Sequence, residues 1–81
     1  MSWHVYILEC ADGTFYTGST SDVERRVKEH NESPVGAKYT KARRPVTLRY
    51  VSAHENRSEA LKEEARIKSL ARREKAALLE T

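Results

Sequence analysis

The dipeptide Asp12-Gly13 stands between two short β-prone runs, and this arrangement constrains the fold more than any other feature of the chain. Asp-Gly is a strong hairpin signal, so Trp3 to Cys10, with Val5-Tyr6-Ile7-Leu8 at its centre, reads as a strand. Thr14 to Gly18 reads as its return partner. Four apolar or aromatic residues in succession are expected of a strand covered on both faces. The register remains open between two arrangements. A two-residue turn pairs Cys10 with Phe15 and sends Tyr6 and Tyr16 to opposite faces. A three-residue connection, Ala11 to Gly13, or a bulge at Gly13, pairs Tyr6 with Gly18 and brings both phenols to one face. A site using both phenols therefore predicts the second arrangement, with open space at Gly18 beside Tyr6.

Beyond the hairpin, Ser21 and Glu24 have capping-box spacing, which predicts a helix from near Asp22 to about Asn31. Pro34 and Gly36 open a loop rich in Lys and Arg that closes at Pro45. Val46 to Val51 alternates through Val46, Leu48 and Tyr50, as a third strand would. Asn56 followed by Glu59 predicts another helix start, and no Gly or Pro interrupts residues 57 to 80. That stretch is one long helix or two with a kink near Ser69 to Ala71. The order β-β-α-β-α, with an optional last helix, is an α+β domain: a three-stranded antiparallel sheet packed by two or three helices. A sheet that small needs those helices to be stable.

At 81 residues the chain has room for a single domain, spanning 1–81, and its 38% hydrophobic content supplies one modest core. A functional site must then share elements with that core. The lone Cys10 excludes an internal disulfide and a cysteine-rich zinc cage, and reads as a small buried residue at a strand end. No apolar run approaches the ~20 residues of a membrane span, and Val5 to Leu8 runs directly into Glu9, unlike a secretory leader. These features are consistent with a reducing cytoplasmic setting and no membrane partner. The net charge of +3 is unevenly spread. Ser33 to Ala53 contains no acidic residue but holds Lys38, Lys41, Arg43, Arg44 and Arg49. Such a segment reads either as an anion-binding surface, with nucleic acid the ordinary candidate, or as a solvated basic loop.

Polar residues stand where core residues belong. The apolar stripe of the first helix runs through positions 23, 26, 27 and 30, and positions 26 and 30 are Arg26 and His30. Arg25, Lys28 and Glu29 are left for the solvent side. An Arg drawn towards a core needs an anionic partner, through an internal salt bridge or a bound ligand, unless its stem packs while its head reaches water. In the later helix, Ala60, Leu61, Ile67 and Ala71 mark the apolar side, and Glu64 falls inside that pattern. Glu64 is then either the partner of Arg26 or a ligand for a cation such as Mg²⁺, which often takes only one or two protein oxygens. Tyr6 and Tyr16 sit mid-strand, where packing is their plainest role. His4, His30 and His54 lack zinc-site spacing.

Taken together, these residues resemble the GIY-YIG nuclease superfamily, and within it the small stand-alone members. The first signature is degenerate, His4-Val5-Tyr6, and the second reads Tyr16-Thr17-Gly18. Arg26 and His30 match the helical Arg of the family and the His or Tyr one turn later, and Glu64 matches its metal-binding Glu. Gly36-Ala37-Lys38-Tyr39-Thr40, followed by Arg43-Arg44-Pro45, looks like the pattern of the stand-alone group. The likeness runs from about residue 3 to 79.

The resemblance implies a DNA endonuclease that hydrolyses a phosphodiester with one Mg²⁺ or Mn²⁺ on Glu64. Arg26 would stabilise charge growing at phosphorus, one phenol would take the proton of the attacking water, and His30 would relay or orient it. Tyr6 is favoured as the base and Tyr16 as the positioning phenol. Phenolate at pH 7 costs roughly 4 kcal/mol, which Arg26 or the metal would have to offset. Lys38, Lys41, Arg43 and Arg44, with Lys68, would hold the DNA backbone, and Tyr39 would either stack on a base or pack. Structured, single-stranded and duplex DNA remain open as substrates, as does a partner protein that chooses among them. A non-catalytic nucleic-acid-binding module with the same fold is the main rival reading. An adaptor using Leu70, Leu78 and Leu79 is a third.

Overall fold

The central strand of the sheet is the first in the chain. In the computed structural model, which describes residues 2–80, β1 (Trp3–Glu9) lies between β2 (Phe15–Thr20) and β3 (Thr47–His54), and all pairings are antiparallel. Val5, Tyr6, Ile7 and Leu8 are all buried, as the unbroken apolar run predicts.

The hairpin takes the three-residue connection. Cys10 N–H donates to the Thr14 carbonyl at 2.8 Å, and Gly13 N–H donates to the Cys10 carbonyl. Gly13 has φ of +83°, a conformation L side chains rarely adopt. Asp12 secures the turn by accepting from both the N–H and the hydroxyl of Thr14. The resulting register pairs Tyr6 with Gly18 and Leu8 with Tyr16, so the two phenols share a face.

Helix α1 (Val23–Glu32) starts one residue later than the Ser21 capping box implies. Asp22 is the cap, accepting from Arg25 N–H. The expected basic loop contains a four-residue helix, α2 (Lys38–Lys41). Asn56 caps α3 (Arg57–Lys68) by accepting from Glu59 N–H, as its spacing predicts. The chain then breaks at residues 69–71 before α4 (Arg72–Leu79), which Glu74 supports by accepting from Ala71 N–H.

Two cores flank the sheet. Val5 and Ile7 pack with Ala60 and Ile67 of α3, flanked by Trp3, Phe15, Tyr50, Leu78 and Leu79. On the other face Tyr6, Leu8, Cys10 and Val46 pack with Tyr16 and Val27. The simple alternation expected for the third strand is broken by a bulge. Ile7 pairs with Tyr50 but Leu8 pairs with Leu48, so Arg49 is extra and Leu48 and Tyr50 point to opposite faces. Asn31 ties α1 to the start of β3, donating to the Val46 carbonyl and accepting from its N–H.

Candidate active site

Gly18 allows the site to form. A Cβ at that position would lie 2.5 Å from the Tyr6 hydroxyl and 2.7 Å from its Cζ. The space expected beside Tyr6 is therefore filled by the Tyr6 ring itself, lying across β2. Its hydroxyl meets His30 Nε2 at 2.8 Å, and His30 is fully buried. The other ring nitrogen, Nδ1, is 2.8 Å from Thr40 Oγ1, whose hydroxyl donates to the Ala37 carbonyl. Tyr16 places its ring edge-on to His30, with centroids 5.1 Å apart, and stacks on Tyr39 at 5.9 Å.

This setting keeps both proton-carrying groups neutral. Burial, reinforced by nearby Tyr16, pushes Tyr6 up to about 12, although Arg26 pulls the other way. Arg26 was expected to lower a phenol below its ordinary value; here desolvation outweighs the guanidinium. Burial, with Arg26 and Arg44 adding to it, pulls His30 down to about 4. Both shifts therefore disfavour moving the Tyr6 proton onto His30 in the resting site.

Arg26 finds its partner on its own helix rather than on α3. Nη1 donates to Glu29 Oε1 and to the Val35 carbonyl, each at 3.0 Å. Burial works against its charge, but Glu29 and Tyr6 outweigh that and hold its pKa above the ordinary value. Glu29, expected on the solvent side, is drawn in by this pair. Glu64 arrives from the opposite side of the sheet. Its Oε1 accepts from the Ser19 hydroxyl at 2.7 Å, and Oε2 pairs with Lys68 Nζ at 2.7 Å. Ser19 is the next residue after Gly18, so β2 brings Glu64 close enough to Tyr6 for its carboxylate to oppose ionisation of the phenol.

The basic segment divides into free and committed cations. Lys38 and Lys41 are exposed. Arg43 bonds Asp12 and the Tyr39 carbonyl, and its guanidinium lies 3.9 Å over the Tyr39 ring. Base stacking on that face of Tyr39 would require Arg43 to leave. Arg44, expected to hold the DNA backbone, instead caps α1: it donates to the carbonyls of His30, Glu29 and Ser33. The His30 carbonyl has no helical partner, because Pro34 at i+4 carries no N–H. The Glu29 and Ser33 carbonyls also accept from the N–H groups of Ser33 and Gly36, respectively. Lys68 is exposed but paired with Glu64.

A family model described as the GIY-YIG catalytic domain matches residues 2–77. The chain belongs to that family. It is 57% identical over 75 residues to a UPF0213 protein of Halobacterium salinarum, covering 93% of this chain and 96% of that one. A UPF0213 protein of Staphylococcus aureus is 51% identical over 78 residues, covering 96% and 94% respectively. Among solved structures, the solution NMR structure of a UPF0213 protein from Bacillus halodurans is similar, with TM-score 0.62 and 48% identity, covering 99% of this chain and 84% of that one. A protein from E. faecalis, also solved by NMR, gives 0.66 and 46% with the same coverage.

A GIY-YIG nuclease domain implies a nucleic-acid substrate and a divalent cation. Among the described residues no group of three or more His, Cys, Asp or Glu is arranged to hold a metal ion. The donor chemistry nevertheless fits a hard cation that keeps most of its waters. Glu64 offers a carboxylate braced by Ser19, and its second oxygen already faces the positive charge of an exposed, displaceable lysine. This GIY-YIG domain also uses residues that sequence reasoning did not single out. Ser19 follows from the register once it is known, and the Glu64–Lys68 pair has readable i, i+4 spacing. Thr40 bonds back to Ala37, three residues earlier, a pattern common to Ser and Thr in turns that indicates no target.

Proposed function

We propose that this GIY-YIG domain, acting as a single unit over residues 1–81, is a metal-dependent DNA endonuclease of the cytoplasm. The observation that carries the reading is the contact between the Tyr6 hydroxyl and His30 Nε2, with Arg26 and, across the sheet, Glu64 near enough for their charges to act on the phenol. A hydroxyl bonded to a neutral imidazole can receive a proton on one side as it surrenders its own on the other.

In this mechanism the oxygen of water bonds to phosphorus while the bond to the leaving 3′ oxygen breaks. The water's proton passes to Tyr6 Oη as the Tyr6 proton moves to His30 Nε2, and the leaving oxygen is protonated from solvent. Tyr6 is 1% exposed in the resting site, so its hydroxyl meets the attacking water only when substrate binding opens a path to it. Arg26, anchored by Glu29 and Val35, stabilises the charge that grows on the phosphoryl oxygens. Tyr16 orients the substrate, supported by its contacts with His30 and Tyr39. Glu64 would hold one Mg²⁺ or Mn²⁺ once Lys68 swings aside, freeing that ammonium for a phosphate. Held there, such a cation would supply positive charge to stabilise the leaving oxygen. Lys38 and Lys41 provide further backbone contacts, which carry affinity without reading bases.

The test incubates the full chain with branched, single-stranded and duplex DNA in Mg²⁺ or Mn²⁺, with an EDTA control. The reading expects cleavage of at least one form, abolished by EDTA. DNA binding without cleavage of any form would favour the non-catalytic module.

A further inference from the structure

We infer that Thr40 is a positioning residue that sets the tautomer of His30, so that the Nε2 lone pair is aimed at the Tyr6 hydroxyl. The inference rests on the reading of Tyr6 and His30 as the proton-handling pair, and it adds a residue outside that set.

Proton counting leads to it. The hydroxyl of Thr40 carries one proton, and Oγ1 lies 2.9 Å from the Ala37 carbonyl, which can only accept. With that proton directed to the Ala37 carbonyl, which also takes the N–H groups of Thr40 and Lys41, Oγ1 is left to accept from His30 Nδ1 at 2.8 Å. Nδ1 then carries the ring hydrogen. A neutral imidazole has only one, so Nε2 is left with a lone pair, and Tyr6 must be the donor in the contact at 2.8 Å. Burial keeps the imidazole neutral, with its pKa pulled down to about 4.

The fold holds Thr40 in this role by more than one contact. Thr40 is fully buried. Gly36 brings its segment against α1: a Cβ there would lie 2.6 Å from the Glu29 carbonyl oxygen and 3.0 Å from His30 Cα. Only a glycine lets the loop approach the helix this closely at His30. Arg43 N–H donates to the Thr40 carbonyl and closes the turn on its far side. Gly36 through Thr40 thus works as a clamp on the imidazole, with Thr40 as its contact point. If the ring carried its proton on Nε2 instead, Tyr6 would become the acceptor and its own proton would have no path to His30.

The test is ¹⁵N NMR of the imidazole in full-length wild-type protein, Thr40→Ser and Thr40→Val, alongside nicking kinetics. Wild type and Thr40→Ser are expected to show a protonated Nδ1 and an unprotonated Nε2. Thr40→Val is expected to shift His30 towards the Nε2–H form and to lower kcat by at least about tenfold with KM little changed. Thr40→Ser should stay within about threefold of wild type. A wild-type spectrum with Nε2 protonated would overturn the inference without need of any variant. So would a folded Thr40→Val protein that keeps the wild-type pattern. If the spectra behave as expected but wild type cleaves no DNA, the nuclease reading fails and the assignment to Thr40 stands.

Discussion

The ring of Tyr6 occupies the place where a side chain on Gly18 would be, with the missing Cβ only 2.5 Å from the phenol oxygen. The two residues face each other across the β1–β2 ladder, so one strand supplies the phenol and its partner supplies the absence that seats it. Gly18→Ala forces Tyr6 or β2 to move. We expect it to cost about 1–3 kcal/mol of stability and to abolish nicking. Denaturant unfolding and a cleavage assay on the same preparation check both.

Removing the Tyr6 hydroxyl strands a buried acceptor. Tyr6→Phe leaves His30 Nε2 without its partner, which should cost about 1–3 kcal/mol, and nicking should fall by at least about 100-fold. Tyr16→Phe leaves the Tyr6–His30–Thr40 chain intact and should reduce cleavage less. The reverse ranking, read from initial rates, would make Tyr16 the base.

The same buried pair sets how stability varies with pH. His30 takes up a proton at about 4 when folded and near 6.5 when unfolded, so acid favours unfolding. Its contribution is fully present above about pH 6.5 and falls by roughly 3 kcal/mol as pH drops to 4. Tyr6 acts at the other end. Its phenol ionises near 10 when unfolded and at about 12 when folded, so stability falls by roughly 3 kcal/mol between those values. Urea unfolding across pH, with His30→Gln and Tyr6→Phe for comparison, should flatten the acid and alkaline slopes in turn.

Arg44 and the two exposed lysines should part company. Arg44→Ala exposes the end of α1 by removing bonds to three carbonyls, and should cost about 1.5–3 kcal/mol while leaving the salt dependence of DNA binding nearly unchanged. Lys38→Ala and Lys41→Ala should barely alter stability, yet each should reduce the slope of log affinity against log salt by about 1. Titrations at several salt concentrations separate these outcomes.

Much of this architecture was readable because local chemistry and tertiary packing agree. Asp12-Gly13 located the hairpin, Asn56 marked the start of α3, and the run Val5 to Leu8 identified a strand covered on both faces. The bulge at Arg49 was hidden because alternation through Val46, Leu48 and Tyr50 reads the same until pairing with β1 is known. Helix α2 lay inside a stretch bounded by Pro and Gly that reads as loop. Within the site, the helical stripe exposed Arg26 and His30 as misplaced polar residues, but it did not name their partners. Glu29 sat on the side that helix periodicity gives to solvent, and Thr40 joined His30 through a tertiary contact spanning ten residues of sequence. Arg44 shows the opposite case: its place in a basic run suggests a ligand contact, whereas backbone carbonyls at the end of α1 already engage it.

The most direct measurement is metal-dependent nicking by wild type against Glu64→Ala and Arg26→Ala, with DNA affinity followed in parallel. Wild type should cut in Mg²⁺ or Mn²⁺, and each variant should lose cleavage by at least about 100-fold while still binding DNA. Cleavage that persists in Glu64→Ala, or wild type that binds DNA in either metal and never cuts it, would contradict the account.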